Sequence, residues 1–133
     1  MTGVEKRREK ILLVDDEPEI LRILQEYFEL YGYETCTAKT GDEALEKFNS
    51  FHPHAVLLDI IMPGRGGIDV LKEIKNKVPQ TIVVIITAVI DESVIRTAML
   101  SGADDYILKP FRLQDLDSKV HDLIDLRRQP GEA

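Results

Sequence analysis

Five side chains with complementary chemistry stand at or just past the ends of short apolar runs. Asp15 and Asp16 follow Lys10-Ile-Leu-Leu-Val14, Asp59 follows Ala55-Val-Leu-Leu58, Thr87 closes Thr81-Ile-Val-Val-Ile-Ile-Thr87, and Lys109 follows Tyr106-Ile-Leu108. An aliphatic run that stops at an acid, with a turn such as Met62-Pro63-Gly64 soon after, is how a buried parallel strand delivers a functional group to its exposed end. Three convergent carboxylates repel one another and raise each other's pKa unless a cation sits among them, and hard oxygen ligands with room for water and phosphate favour magnesium. Lys109 adds a mobile positive charge and Thr87 a hydroxyl donor, equipment for holding phosphoryl oxygens as charge develops. Asp59 is then the acceptor nucleophile. It needs no His, Ser or Cys base, because an ionised carboxylate attacks phosphorus directly once metal and lysine draw off negative charge. Each residue alone has a plainer reading: strand ends are often acidic, and Asp15 with Asp16 would serve as a helix cap beside a surface acid.

For these residues to meet, their runs must lie side by side in one sheet, and the intervening sequence supplies the crossovers. Pro18 suits the first turn of a helix, Ile20, Ile23, Leu24, Tyr27 and Phe28 recur at helical spacing up to Tyr31, and Gly32 is a left-handed stop. Tyr33 to Ala38 alternates as a strand nearer a sheet edge does. Thr40-Gly-Asp-Glu43 reads as a capping box before a helix with Ala44, Leu45 and Phe48 inward. Val70, Leu71, Ile74 and Val78 mark a third helix ended by Pro79, and Asp91 caps a fourth that runs to Ser101 and Gly102. Leu113, Leu116, Val120, Leu123 and Ile124 mark the fifth. Alternating strand and helix five times predicts an α/β fold, a doubly wound five-stranded parallel sheet with right-handed crossovers and helices on both faces. Ligands of such sheets bind beyond the carboxyl ends of the strands, where the five residues collect.

With 133 residues, 44% apolar and 31% charged, the chain predicts one folded domain over 10–126, after a charged lead-in at 1–9 and before a tail or linker start at 127–133. The longest apolar runs, Ile11–Val14 and Ile82–Ile86, are too short to cross a bilayer, and no secretory leader opens the chain, so a cytoplasmic protein is expected. Cys36 stands alone and reads as a packed thiol rather than a nucleophile. The net charge of −7 argues against this domain gripping nucleic acid itself. His52, His54 and His121 share no spacing that would build a metal site, and Asp104 and Asp105 read as turn residues.

The stretches Leu13-Val-Asp-Asp-Glu-Pro18, Leu57-Leu-Asp-Ile-Ile-Met-Pro-Gly64, Ile86-Thr-Ala88 and Gly102-Ala-Asp-Asp-Tyr-Ile-Leu-Lys-Pro-Phe111, in this order and spacing, resemble the receiver domain of two-component response regulators. The resemblance covers about Lys10 to Leu126. It implies a flavodoxin-like strand order 2-1-3-4-5 and a cis peptide before Pro110 that aims Lys109 inward. It further implies Asp59 as phosphoacceptor, Asp16 as a direct magnesium ligand, Asp15 acting on the metal through water, and the backbone carbonyl of Ile61 as a third protein ligand. Thr87 and Lys109 would bind the phosphoryl group, and Tyr106 matches the family's switch aromatic. One departure is Gly64-Arg65-Gly66-Gly67: family members commonly carry an acid before the glycine matching Gly67, and its loss is expected to loosen this loop without touching the site.

The expected function is a magnesium-dependent phospho-switch rather than an enzyme. A sensor histidine kinase or phosphotransfer protein supplies the phosphoryl group, and a downstream effector, an attached output domain or a second copy of the chain reads it. The reading surface would be the fourth helix, fifth strand and fifth helix, where Arg96, Asp104, Asp105, Arg112 and Lys119 offer charges of both signs. Two other readings stand beside it. One is a phosphorylation-independent interaction module, against which the intact set of five residues argues. The other is a magnesium phosphatase working through an aspartyl-phosphate, an enzyme that usually places a second acid two residues after the nucleophile, where this chain has Ile61.

Overall fold

The computed structural model describes residues 9–62, 66–88 and 90–127. Ten elements alternate: β1 (Lys10–Val14), α1 (Pro18–Leu30), β2 (Glu34–Ala38), α2 (Gly41–Phe51), β3 (Ala55–Asp59), α3 (Gly67–Lys77), β4 (Ile82–Thr87), α4 (Glu92–Leu100), β5 (Asp105–Leu108) and α5 (Leu113–Arg127). The strands form one parallel sheet in the order β2-β1-β3-β4-β5. Strand order and helix placement both agree with the expectation from sequence.

The continuous apolar runs are explained by cover on both sides of the sheet. Leu12, Val14, Val56, Leu58, Val83 and Ile85 point to one face and pack under α2, α3 and Ala98 of α4. Ile11, Leu13, Ala55, Leu57, Ile82, Val84 and Ile86 point to the other, under α1 and α5. Successive side chains in a strand alternate faces, so β1, β3 and β4 must be apolar at nearly every position to feed both cores. The edge strands β2 and β5 carry exposed and half-buried positions instead. Register follows from this burial, since a slip of one residue would exchange the two faces. It sets Val14 opposite Leu58, Asp59 opposite Ile86 and Thr87 opposite Leu108, which lines up the C-terminal ends of four strands.

Local signals behave largely as their chemistry requires. Gly32 and Gly102 take the positive φ values of 92° and 113° that end α1 and α4. Asp91 caps α4 by accepting from the Ser93 N–H at 2.9 Å. Thr40 Oγ1 accepts from the Glu43 N–H at 3.1 Å, but Glu43 Oε1 accepts from Lys39 N at 2.8 Å, so the reciprocal bond closes one residue before the cap. That backbone bond holds the Glu43 carboxyl below its ordinary range. Val78 departs from the sequence reading: it is the C-cap of α3 rather than an inward helical residue, and it is 41% exposed, because the chain leaves the helix there for Pro79. Glu9, counted from sequence with the lead-in, is buried, and its carbonyl accepts from Glu34 N at 3.0 Å. The rest of the lead-in, the tail beyond Arg127 and residues 63–65 of the loop after β3 lie outside the described residues. Among those described, no helix is long and apolar enough to cross a membrane.

The start of α3 is pressed against the backbone that carries Asp59. Gly67 N donates to the Ile60 carbonyl at 3.1 Å, and a Cβ on Gly67 would lie 2.5 Å from Ile60 Cα and 2.8 Å from the Asp59 carbonyl oxygen. Backbone cannot step aside as a flexible side chain can. Gly67→Ala is therefore expected to cost about 1–3 kcal/mol in urea unfolding, the range typical of overpacking. Gly66→Ala, with nothing within 4 Å of the added methyl, should lose less than about 1 kcal/mol, the effect of placing Ala at an N-cap.

Candidate functional site

The parallel register brings the five residues singled out from sequence to one edge of the sheet. Asp15, directly after β1, is 1% exposed; its N–H donates to the Ala38 carbonyl at 3.1 Å and its Oδ1 accepts from Glu17 N at 2.9 Å. Asp59, the last residue of β3, is 4% exposed and accepts from Ile61 N at 2.9 Å through Oδ1. Asp16 is exposed, yet Asp15, Asp16 and Asp59 each offer a carboxylate oxygen within 4.8 Å of the other two. Thr87 ends β4 fully buried, and its carbonyl accepts from Lys109 N at 2.8 Å. The Lys109–Pro110 peptide is cis, as the resemblance implied.

Lys109 joins these parts. Its Nζ donates to Asp15 Oδ2 at 2.8 Å, to Asp59 Oδ2 at 3.0 Å and to Glu17 Oε1 at 3.3 Å. Burial pulls the Lys109 ammonium down, but its hydrogen bonds to Asp15 and Asp59 and their charges outweigh that and hold it above the ordinary lysine range. For Asp59 the balance falls the other way. Burial pushes its carboxyl up, the Ile61 N–H and Lys109 oppose this, and the Asp15 charge adds to it. The asymmetry has a simple cause: one ammonium is well served by several acids, while each acid receives only part of one ammonium. The cluster therefore keeps an excess of negative charge and of oxygen ligands. That donor set, three carboxylates each offering an oxygen within 4.8 Å of the other two, suits a hard divalent cation such as magnesium, which takes oxygen ligands.

The remaining candidates fall around this centre. Ile61 donates its N–H to Asp59 while its side chain is 58% exposed. Tyr106, on the edge strand β5, is 36% exposed and lies outside the carboxylate cluster. Glu17 stands at the start of α1 as its N-cap residue, but its side chain makes no cap hydrogen bond and reaches Lys109 instead. The run of three acids, Asp15-Asp16-Glu17, was the available signal. Of the surface charges, Arg96 and Arg112 are exposed and Asp105 pairs with Lys119 at 3.0 Å, whereas Asp104 is largely buried among cations. The histidines build no common site: His54 Nδ1 accepts from Lys10 N at 3.0 Å, and His121 lies 3.2 Å from Asp125. Cys36 is a free, half-buried thiol packed against the core.

Comparison with known proteins agrees with this architecture. The family described as the response regulator receiver domain matches residues 11–121. The probable transcriptional regulator ycf27 of Cyanophora paradoxa is 38% identical over 129 residues, covering 96% of this chain and 53% of that protein. The regulatory protein AtoC of Escherichia coli (strain K12) is 39% identical over 123 residues, covering 92% of this chain and 27% of AtoC. The chain thus spans about half or less of the length of these curated relatives. Among solved structures, a CheY-like receiver domain protein from Methanospirillum hungatei JF-1 superposes with a TM-score of 0.89 at 29% identity, covering 92% of this chain and 98% of that one. NtrX from Brucella abortus superposes at 0.87 with 32% identity, covering 95% of this chain and 29% of NtrX. A match that runs through all five strands, joined to a sheet wound in the order 2-1-3-4-5, makes this chain a member of the response regulator receiver domain family of two-component systems.

Proposed function

We propose that Asp59 accepts a phosphoryl group from a phosphohistidine of a sensor histidine kinase or phosphotransfer protein, in the cytoplasm. The observation that carries this reading is the position of Lys109 Nζ between Asp59 and Asp15, 3.0 and 2.8 Å away. A carboxylate oxygen of Asp59 forms the new O–P bond as the P–N bond of the donor breaks, and the electron pair returns to the imidazole nitrogen. The Ile61 N–H holds Oδ1 and so orients the carboxylate for attack. Lys109 follows the charge onto a phosphoryl oxygen, and the Thr87 hydroxyl donates to another. Asp15, Asp16, Asp59 and the Ile61 carbonyl would hold Mg2+, which supplies charge neutralisation for the incoming phosphoryl oxygens.

The product acts as a switch because the phosphoryl group adds charge and acceptor oxygens at one point, and so favours whichever state contacts them better. Thr87 is the differential contact. When its hydroxyl moves toward the phosphoryl group, Tyr106 turns inward from its half-exposed position on β5, and the face formed by α4, β5 and α5 changes for an effector, an output domain or a second copy. The single-sided pairing and partial exposure of β5 support this choice of moving element.

With magnesium at ten times its dissociation constant, mass action adds about 1.4 kcal/mol to stability, a rise of a few degrees in melting temperature, and Asp16→Ala should lose it. In chelator, Asp59→Asn should melt above the parent at neutral pH. Burial raises the folded pKa of Asp59 above its unfolded value, so the folded state loses stability as pH rises through that pKa, and a neutral amide avoids the loss. The gap should close below about pH 4, where the carboxyl is protonated in both states. Finally, acetyl phosphate with magnesium should add one phosphoryl mass, base-labile and acid-stable, to the parent protein. An equal gain in Asp59→Asn would remove Asp59 as the acceptor.

A further inference from the structure

At the opposite end of the sheet, a second ionic cluster gathers around Asp104, the residue before β5. Its Oδ2 accepts from Val83 N at 2.8 Å and from Lys75 Nζ at 2.9 Å, and its Oδ1 accepts from Arg127 Nη2 at 2.6 Å. The Asp104 N–H donates in turn to the Val83 carbonyl at 2.8 Å, so the residue is tied to β4 through both backbone and side chain. Lys75 also donates to the Thr81 carbonyl at 2.6 Å, and Arg127 donates to the Gln80 carbonyl. One carboxylate thus connects α3, β4 and the last turn of α5. A cavity of about 550 Å³ lies at that turn, lined by Ile124 and Arg127 together with Pro53, Val78 and Ile82. Ile124 packs into the core, and beyond it the Arg127 bonds hold the last residues of α5.

Strand β5 joins this cluster to the site. It is four residues long, pairs only with β4, and runs from the residue after Asp104 to the residue before Lys109. We propose that Lys75, Asp104 and Arg127 form a latch on the C-terminal turn of α5 that opens when Asp59 is phosphorylated. This rests on the phospho-switch reading above. A phosphoryl group on Asp59 draws Lys109 toward oxygens beyond the end of β3, and the pull runs back through β5 to Asp104, whose carboxylate keeps the Val83 N–H and turns away from Arg127. Leu116 and Val120 hold the body of α5 in the core, so Arg127 cannot follow Asp104 across the cavity, and their bond breaks. The direction in which the chain leaves Arg127 then depends on the state of Asp59.

Amide hydrogen exchange on the full chain tests this, with beryllofluoride and magnesium as the phosphoryl mimic and fluorine NMR reporting the adduct separately. Adduct formation should speed exchange at Asp125 to Arg127 by about five-fold or more, as expected when a helix end becomes a local opening unit. Arg127→Gln should exchange fast already and change less than about two-fold on adduct formation, while forming the adduct as the parent does. Asp104→Asn, which keeps an acceptor for Val83 N, should behave alike and serves if the first variant folds poorly. An adduct that forms without altering exchange at the end of α5, or an Arg127→Gln protein that responds as fully as the parent, overturns the latch. Failure of the parent to form any adduct instead overturns the switch reading, and the latch with it.

Discussion

The sharing of one ammonium, Lys109, between the buried carboxylates of Asp15 and Asp59 is the interaction on which the functional edge depends. Two buried acids so close together would be costly without a cation, because burial and mutual repulsion both disfavour their ionised forms. Lys109 relieves this only in part, since burial still pushes the Asp59 carboxyl above its ordinary range. The site is therefore poised: its acids are held in place by a partner too small in charge to satisfy them. A divalent cation and a phosphoryl group are complementary additions, one completing the charge balance of the carboxylates and the other offering the ammonium a stronger partner.

That poise requires rigidity behind it, and the rigidity comes from ordinary apolar burial. β1, β3 and β4 are covered on both faces, and their fully buried side chains leave no room for a change of register. Asp15 follows β1 and Asp59 ends β3, two neighbouring interior strands, so their spacing is as fixed as the core itself. Gly67 adds a local constraint by letting α3 meet the backbone beside Asp59 at a distance no side chain would allow. Lys109 and Tyr106 belong instead to the edge of the sheet, where pairing is one-sided and burial partial. Asp15 and Asp59 thus sit on the stiff part of the fold, and Lys109 and Tyr106 on the compliant part. Response regulator receiver domains are switches, and this division of stiffness suits a switch.

The ionic clusters at Lys109 and at Asp104 differ in what surrounds them. The first is crowded with acids and short of cations; the second joins one acid to Lys75 and Arg127 and to several backbone groups, so its charges are matched. A matched cluster across a cavity fastens elements without inviting a ligand. Its position at the far end of β5 makes it sensitive to movement of that strand.

Legible in the sequence alone were the fold class, the five strand-helix units, the helix stops at Gly32 and Gly102, and the five residues, Asp15, Asp16, Asp59, Thr87 and Lys109, that stand at or just past the carboxyl ends of the strands. These follow from local periodicity, turn chemistry and the rule that functional groups stand at the carboxyl ends of parallel strands. Tertiary structure alone decided how those residues engage. Glu17, at the start of α1, also partners Lys109; Asp104, in the bend before β5, also binds Lys75 and Arg127; and Val78, read as an inward helical residue, is an exposed cap. The reason is physical. Strand and helix patterns are written in neighbours along the chain, but Lys109 lies 94 residues from Asp15, and Asp104 lies 29 from Lys75 and 23 from Arg127. Which distant charges meet depends on strand order, register and side-chain reach, quantities that exist only once the sheet has formed.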